Sequence, residues 1–200
     1  YGGIAVGAIS AVGGRGGNGH LDGGYGRGGG DVTLMSYGGV PGAGITTGSI
    51  NVYGGLGGNS TGGSDYSGVG GDGGSVVMIA HVGAGGATSG RITVNGSINA
   101  RGGNAGVGAL YGYAGDGGYV ALTVNGVLAS GGLTVGSIDV SGGQGGNHSD
   151  SGYSYGSGGD GGSIVLASYG GIAVTAGSTF KAFGGDGGNA IGTGDANGGY

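Results

Sequence analysis

Few side chains in this chain of 200 residues are able to do acid–base chemistry. They are ten aspartates and three histidines, His20, His81 and His148, and the chain has neither glutamate nor cysteine. General acid–base catalysis needs such groups within hydrogen-bond reach of one another. We find no Ser-His-Asp set that the sequence repeat described below would bring together. The sequence therefore predicts surface histidines, no catalytic residues and a protein that is not an enzyme.

Three classes of ligand are also disfavoured. A phosphate-binding loop needs a strand before it and a helix after it, and the ATPase version needs Gly-Lys-Ser/Thr, but the single lysine, Lys181, precedes Ala182. The net charge of −5 argues against a nucleic-acid partner, which calls for a basic patch. The longest apolar run, residues 76–80, is far shorter than the roughly 20 residues of a membrane span. We expect no nucleotide cofactor, no nucleic acid and no membrane span.

The glycine content decides the fold class. Glycine supplies 68 of the 200 residues, and it destabilises helix interiors, so helical and mixed α/β folds are excluded. Collagen needs an unbroken Gly-X-Y period rich in proline, whereas this chain has one proline, Pro41. Only 8% of the residues are charged, which is not typical of disordered chains.

Three short strand-like segments recur along the chain. A Gly-x-β-x-β motif, in which β is an apolar residue, repeats every 44 residues. In three of its four copies the glycine of the motif is the last residue of an Asp-Gly-Gly. Its first apolar residues are Val32, Val76, Val120 and Ile164. A Gly-Ser-Ile motif places Ile50, Ile98 and Ile138, with degenerate copies at Ile9 and Thr179. The third segment occupies residues 4–6, 45–47, 92–94, 133–135 and 172–174. Their β-branched composition predicts three strands per repeat.

A glycine-rich excursion separates the Gly-Ser-Ile strand from the next Asp-Gly-Gly. It opens with Gly-Gly-x-Gly-Gly-Asn at residues 13–18, 54–59, 142–147 and 184–189, and a shortened copy lies at residues 102–104. The period of three matches polyglycine II, which has no internal hydrogen bonds and is ordered only when several runs pack side by side.

These features predict an all-β fold of one repeat domain. Parallel stacking of the strands predicts a β-solenoid with polyglycine-II-like excursions, and a β-sandwich with a separate polyglycine layer is the alternative. The approximate repeats are 7–47, 48–95, 96–135, 136–176 and a partial 177–200. Both ends fall within a repeat, so we expect either end-to-end polymerisation or a window from a longer array.

The repeat motifs resemble those of known groups of proteins. The pattern GSIDVSGGQGGN…GSGGDGGSIVLASYGGIAV, within residues 136–174, resembles the repeats of secreted bacterial β-solenoid proteins of the filamentous-haemagglutinin or adhesin type. The Gly-Gly-x clusters also look like those of polyglycine-rich tip adhesins of bacteriophage tail fibres and of glycine-rich antifreeze proteins. The first resemblance implies an extracellular or cell-surface location and an adhesion or matrix role.

Three sets of residues are candidate sites. Asp72, Asp116 and Asp160 share one repeat position, where stacking would align them either as turn residues or as a calcium ladder. The tyrosines before each Asp-Gly-Gly are candidates for self-assembly or partner contacts, namely Tyr66, Tyr111, Tyr113, Tyr153 and Tyr155. The N-glycosylation acceptor pattern occurs at Asn59, Asn95 and Asn147.

From these observations the sequence predicts an extracellular structural protein. Its repeats would stack head to tail with further copies of the chain into a filament or a fibrous surface layer such as a biofilm matrix. The alternative is a cell-surface or phage adhesin that binds a receptor or a glycan through its variable excursion tips. An ice-binding role is a third hypothesis. Calcium is the single cofactor considered.

Overall fold

The computed structural model describes residues 3–37, 44–62, 66–81, 90–108, 110–126, 132–148, 156–189 and 196–200. Within these ranges the regular elements are β-strands and no helix occurs, so the all-β prediction is confirmed. No helix in these ranges is long and apolar enough to cross a membrane.

The strands form four parallel sheets, and each predicted strand type forms a sheet of its own. Sheet I contains β1 (Ile4–Ala5), β4 (Ile45–Thr47), β7 (Ile92–Val94), β11 (Leu133–Val135) and β15 (Ile172–Val174). Sheet II contains β3 (Val32–Tyr37), β6 (Ser75–His81), β10 (Tyr119–Asn125) and β14 (Ser163–Ser168). Sheet III contains β2 (Ile9–Ser10), β5 (Ile50–Asn51), β8 (Ile98–Asn99), β12 (Ile138–Asp139) and β16 (Phe180–Lys181). Sheet IV contains β9 (Gly112–Tyr113), β13 (Gly156–Ser157) and β17 (Ala196–Asn197).

The strand register follows the sequence repeat. In sheet II, Val32 pairs with Val76, Val76 with Val120, and Val120 with Ile164, as the constant motif spacing predicts. In sheet III the predicted strand position at Thr179 is one residue too early, because Phe180 is the residue that pairs with Ile138. The other copies carry an apolar residue at that position, and Phe180 is the apolar residue of this copy. Sheet IV is not predicted by the sequence.

Sheets I, II and III share one hydrophobic core. Alternation along each strand sends every second side chain inward, so β6 alternates between half-buried and buried residues along its whole length. Met78, Leu122 and Ile98 are fully buried in the same cluster. Because like residues stack on like residues, each apolar side chain is covered by its counterpart in the neighbouring strand.

The glycine-rich excursions are ordered by hydrogen bonds that recur at every third residue. We call residues 54–60 and their equivalents the outward limb, and residues 66–74 and their equivalents the return limb. The N–H of Gly57 donates to Asn104 O of the next outward limb at 2.9 Å. The N–H of Gly55 donates to Arg27 O of the preceding return limb, and Gly71 of its own return limb donates to Gly55 O, each at 2.8 Å. One outward limb is thus bonded to neighbours on three sides.

Close approach of these limbs explains why two of every three residues are glycine. A Cβ added at Gly57 or Gly58 would overlap backbone atoms of neighbouring limbs. Leu56, at the third position, points outward and is exposed. The glycines recorded with positive φ in the described ranges, Gly126, Gly171 and Gly177, lie outside the limbs. The limb glycines are therefore needed for packing distance rather than for left-handed backbone.

We predict that Gly58→Ala is far more destabilising than Gly17→Ala, although both residues occupy the same repeat position. A Cβ at Gly58 would meet Gly17 O and Gly24 N, whereas a Cβ at Gly17 has open space around it. Gly58→Ala should lower the free energy of unfolding by about 1–3 kcal/mol or more. Gly17→Ala should leave it unchanged or raise it by roughly 0.4–1 kcal/mol. Denaturant unfolding of the two variants at low protein concentration measures the difference, and equal effects would contradict the packing argument.

Candidate functional site

Among the described residues, the strands at the two ends of the sheets have a strand partner on one side only. At one end, which we call the leading face, β1, β2 and β3 are the edge strands of sheets I, III and II. At the other end, the trailing face, the edge strands are β15, β16 and β14. An edge strand carries a row of unpaired N–H and C=O groups and is a template for pairing with another chain.

Apolar side chains are uncovered at both faces. On the trailing face Ile172 is 45% exposed, whereas its equivalent two strands inward, Ile92, is fully buried. Val174 and Phe180 are exposed beside it. On the leading face Val6 and Met35 are exposed. The difference between Ile172 and Ile92 arises because nothing in the described chain stacks on Ile172.

The leading face also exposes glycines that would contact a neighbouring limb inside the molecule. Gly14 and Gly17 have no atoms within 4 Å of an added Cβ. A Cβ added at their equivalents Gly55 and Gly58 would overlap the carbonyl oxygens of Gly14 and Gly17 themselves. The outward limb at this face thus leaves open the space that a neighbouring limb occupies at the equivalent interior positions.

The three histidines lie in different elements. Nδ1 of His20 is 3.5 Å from Thr61 Oγ1 on the surface. His81, at the end of β6, stacks on Tyr37 with ring centroids 5.0 Å apart and planes at 3°. The sequence predicts His148 to be a surface residue, and this prediction is wrong because His148 is buried. Its backbone N–H donates to Asn189 O at 3.0 Å.

The aspartates of the Asp-Gly-Gly motifs form a ladder of hydrogen bonds. Oδ1 of Asp72 accepts the backbone N–H of Asp116 at 2.9 Å, and Oδ1 of Asp116 accepts that of Asp160 at 2.8 Å. Oδ1 of Asp160 accepts the N–H of Tyr200 at 3.0 Å. The carboxylates thus bond to the backbone of the next repeat and not to their own turn. In the ranges that the structure covers, no group of three or more His or Asp side chains is placed to hold a metal ion.

We predict that the Asp ladder depends on the carbonyl-type oxygen and not on the charge. Asp116→Asn keeps an oxygen for the Asp160 N–H and should change the free energy of unfolding by less than about 0.5 kcal/mol. Asp116→Ala removes the acceptor and should cost roughly 0.5–1.5 kcal/mol. Thermal unfolding, with and without a calcium chelator, measures both. If the chelator destabilises the parent protein and Asp116→Asn is as harmful as Asp116→Ala, the ladder is a calcium site.

Asparagine forms a second ladder that the sequence analysis missed. Asn18 Oδ1 accepts the N–H of Asn59 at 2.9 Å, Asn59 Oδ1 accepts that of Val107 at 3.0 Å, and Asn147 Oδ1 accepts that of Asn189 at 2.9 Å. The asparagine that recurs at the end of Gly-Gly-x-Gly-Gly-Asn is the sequence signal that could have predicted this ladder. Of the glycosylation candidates, Asn59 is half-buried, while Asn95 and Asn147 are exposed.

The described tyrosines of the excursion tips lie together. Tyr66 stacks on Tyr111 with centroids 5.5 Å apart, and Tyr111 stacks on Tyr113 at 6.4 Å. Tyr66 is 54% exposed and Tyr113 is 46% exposed. Ser67 Oγ donates to Tyr111 O at 2.7 Å and ties the base of the cluster to the neighbouring repeat. Tyr153 and Tyr155 lie outside the described residues.

Comparison with known proteins adds no relative. No protein-family model, no curated protein and no solved structure matches the chain. The end faces, the two ladders and the tyrosine cluster are the structural features that bear on function.

Proposed function

We propose that the chain is an extracellular structural protein that stacks head to tail, as a β-solenoid with polyglycine-II-like excursions, into a filament or fibrous surface layer. The observation that carries the proposal is the in-register parallel stacking of like strands, which among the described residues leaves strand edges and apolar side chains uncovered at both faces. The partner is a second copy of the same chain. The protein has no catalytic role and needs no cofactor.

The parallel register supports the solenoid over the β-sandwich. Sandwiches are built from antiparallel sheets, whereas the pairs between described strands here are parallel and join residues about one repeat apart. The three-sided hydrogen bonding of the outward limb supports the polyglycine-II geometry, because such a helix has three residues per turn and no internal hydrogen bonds.

The two faces match each other in sequence and in geometry. Ile172-Ala173-Val174 on the trailing face repeats Ile4-Ala5-Val6 on the leading face, and both follow Gly-Gly. The N–H of Leu133 donates to Gly171 O at 3.1 Å inside the molecule. By the same register, the N–H of Ile172 would donate to Gly3 O of a second copy. Stacking would continue sheets I and III without a change of register.

We predict that Gly14→Ala with Gly17→Ala abolishes filaments and leaves the single molecule folded. Gly185 and Gly188 are the equivalents of Gly14 and Gly17 in the last repeat. Cβ atoms added at Gly185 and Gly188 would overlap Gly143 O and Gly146 O. A stacked second copy would bring Gly185 O and Gly188 O equally close to the new Cβ atoms at positions 14 and 17. Electron microscopy of the purified protein shows whether filaments form, and circular dichroism measures whether the protein is still folded.

The matched control is Gly28→Ala. Gly28 lies at the position that carries Asp72 and Asp116 in other repeats, and its nearest atom to an added Cβ is 3.6 Å away. This variant should assemble like the parent. Single compact particles from the parent protein, or unchanged filaments from the double alanine variant, would refute head-to-tail stacking.

The tyrosine cluster favours the adhesin as a second candidate function. Tyr66, Tyr111 and Tyr113 present flat amphipathic rings at the surface, a composition common in binding sites for proteins and glycans. These residues belong to none of the edge strands that form the two end faces.

We predict that Tyr66→Ala with Tyr113→Ala separates the two functions. An adhesin should lose at least about tenfold in binding to its receptor or to a glycan array, because stacking rings are removed, while its assembly state stays the same. Tyr25→Ala is the control, since Tyr25 is 73% exposed and belongs to no ring pair recorded for the described residues. Loss of filaments with the double variant, or an equal loss of binding with the control, would remove the cluster as a receptor site.

A further inference from the structure

A cleft of about 220 Å³ lies on the surface where β5 and β8 continue into their outward limbs. The side chains that line it come from the second and third repeats, and they are Tyr53, Leu56, Asn99, Arg101 and Asn104. The other lining residues are glycines, which leave the space between these side chains open. The lining residues belong neither to the edge strands of the end faces nor to the tyrosine cluster.

Arg101 brings a positive charge to this cleft. Its Nε atom is buried and has no hydrogen-bond partner. In the part of the chain that the structure describes, no ion pair or hydrogen bond of its guanidinium group is recorded. A buried charged donor without an acceptor is unfavourable, so an oxygen anion that reaches this group would be bound. The planar guanidinium group fits a carboxylate, because the two oxygens accept two parallel hydrogen bonds.

The asparagine side chains of the cleft have their donor groups left for a ligand. Asn99 Oδ1 accepts the backbone N–H of Arg101 at 3.3 Å, and Asn104 Oδ1 accepts the backbone N–H of Gln144 at 2.9 Å. Because both amide oxygens are engaged with the backbone, the NH2 groups are the remaining polar groups of these side chains. They donate and do not accept, so they favour the same acceptor-rich ligand as Arg101.

The backbone adds a further donor. At the third position of the glycine motif the N–H points to the preceding repeat, as the bond from Gln144 to Asn104 shows. By the same register the N–H of Asn104 points to Leu56, whose side chain has no acceptor. A ligand oxygen between Leu56 and Asn104 would take the place of the acceptor that Asn104 provides for Gln144.

Tyr53 and Leu56 give the cleft an apolar wall beside these donors. Their side chains are 40% and 44% exposed. A tyrosine ring offers a flat amphipathic surface, against which the C–H face of a sugar ring can pack. The cleft is smaller than the roughly 300–1,000 Å³ of a pocket for a drug-sized ligand, so its size suits one ring of a longer chain.

We propose that this cleft binds the carboxylate-bearing ring of an acidic sugar, as one unit of a polysaccharide that contains uronic acids. The carboxylate would pair with Arg101, hydroxyl oxygens would accept from the two asparagine amides, and the ring would lie against Tyr53. A peptide with an acidic side chain fits less well, because its backbone N–H groups need acceptors and both amide oxygens of the cleft are engaged. In the proposed extracellular layer, each chain would hold one such sugar unit.

The test is titration of the 200-residue protein with D-glucuronate, measured by calorimetry and by the NMR signals of the Asn104 N–H and the Arg101 side chain. D-Glucose has the ring without the carboxylate, and acetate has the carboxylate without the ring. Glucuronate should bind at one site and at least about tenfold more tightly than either. Equally tight binding of glucose, of acetate or of the blocked peptide acetyl-Gly-Glu-Gly-amide would overturn the proposal.

Two substitutions copy residues that other repeats carry at the same position, so both variants should fold. Arg101→Ser copies Ser141 and should weaken glucuronate binding at least about tenfold. Tyr53→Val copies Val12 and should weaken it about threefold to tenfold. Circular dichroism should show the parent fold for both.

Arg27→Gln is the matched control for the loss of a positive charge. Arg27 is an exposed arginine of a return limb and does not line the cleft, so this variant should bind glucuronate like the parent. Unchanged affinity of the Arg101→Ser variant, or an equal loss with Arg27→Gln, would overturn the cleft as an acidic-sugar site.

This inference goes beyond the proposed assembly, and the two fail separately. Glucuronate binding by a protein that forms no filaments would refute the assembly and leave the cleft intact. Filaments from a protein that does not bind glucuronate would refute the cleft and leave the assembly intact.

Discussion

Backbone-to-backbone contact in the glycine limbs is the interaction on which the rest of this structure depends. A limb has no internal hydrogen bonds, so each inward N–H must find a carbonyl on another limb. That contact is too close for a Cβ, as Gly54 and Gly57 illustrate. A limb is therefore ordered only when its neighbours are in place. Ordering glycine is costly in backbone entropy, so the limbs need an independent source of register.

The three core sheets supply that register. The inward residues of their central strands are buried and mostly β-branched, which fixes both the pairing and the side-chain face. The two parts of the molecule are tied where a return limb meets the end of a sheet III strand, as in the bonds from Gly74 N to Val52 O and from Gly118 N to Ala100 O, both 2.7 Å. The Asp and Asn ladders add a side-chain acceptor to the same register on the outer surface. Apolar stacking thus positions the limbs, and the limbs then saturate their own backbone.

Sequence reasoning succeeded where composition and spacing act together. Each of the three predicted strand types has β-branched residues at a regular interval, and each forms a parallel sheet. It failed where side chains carry little information. Sheet IV pairs Gly112 with Gly156, and a pair of glycines has no strand signature. The Asn ladder was missed because Asn59 and Asn147 of the glycine motif match the glycosylation pattern, while the role of this asparagine depends on a backbone N–H one repeat away. The same holds for the aspartates, whose bonds cross repeats.

The proposed assembly follows from how the repeat satisfies its own chemistry. Inside the stack, each set of three strands, one from each of sheets I, II and III, is covered on both sides by sets of the same kind. The set at an end face lacks one of these two neighbours. The match between residues 4–6 and 172–174 makes the two faces alike at sheet I. Among the described residues sheet II has four strands, and sheets I and III have five each. Because the strands of sheets I, II and III pair in parallel, a junction built from such faces would have a direction.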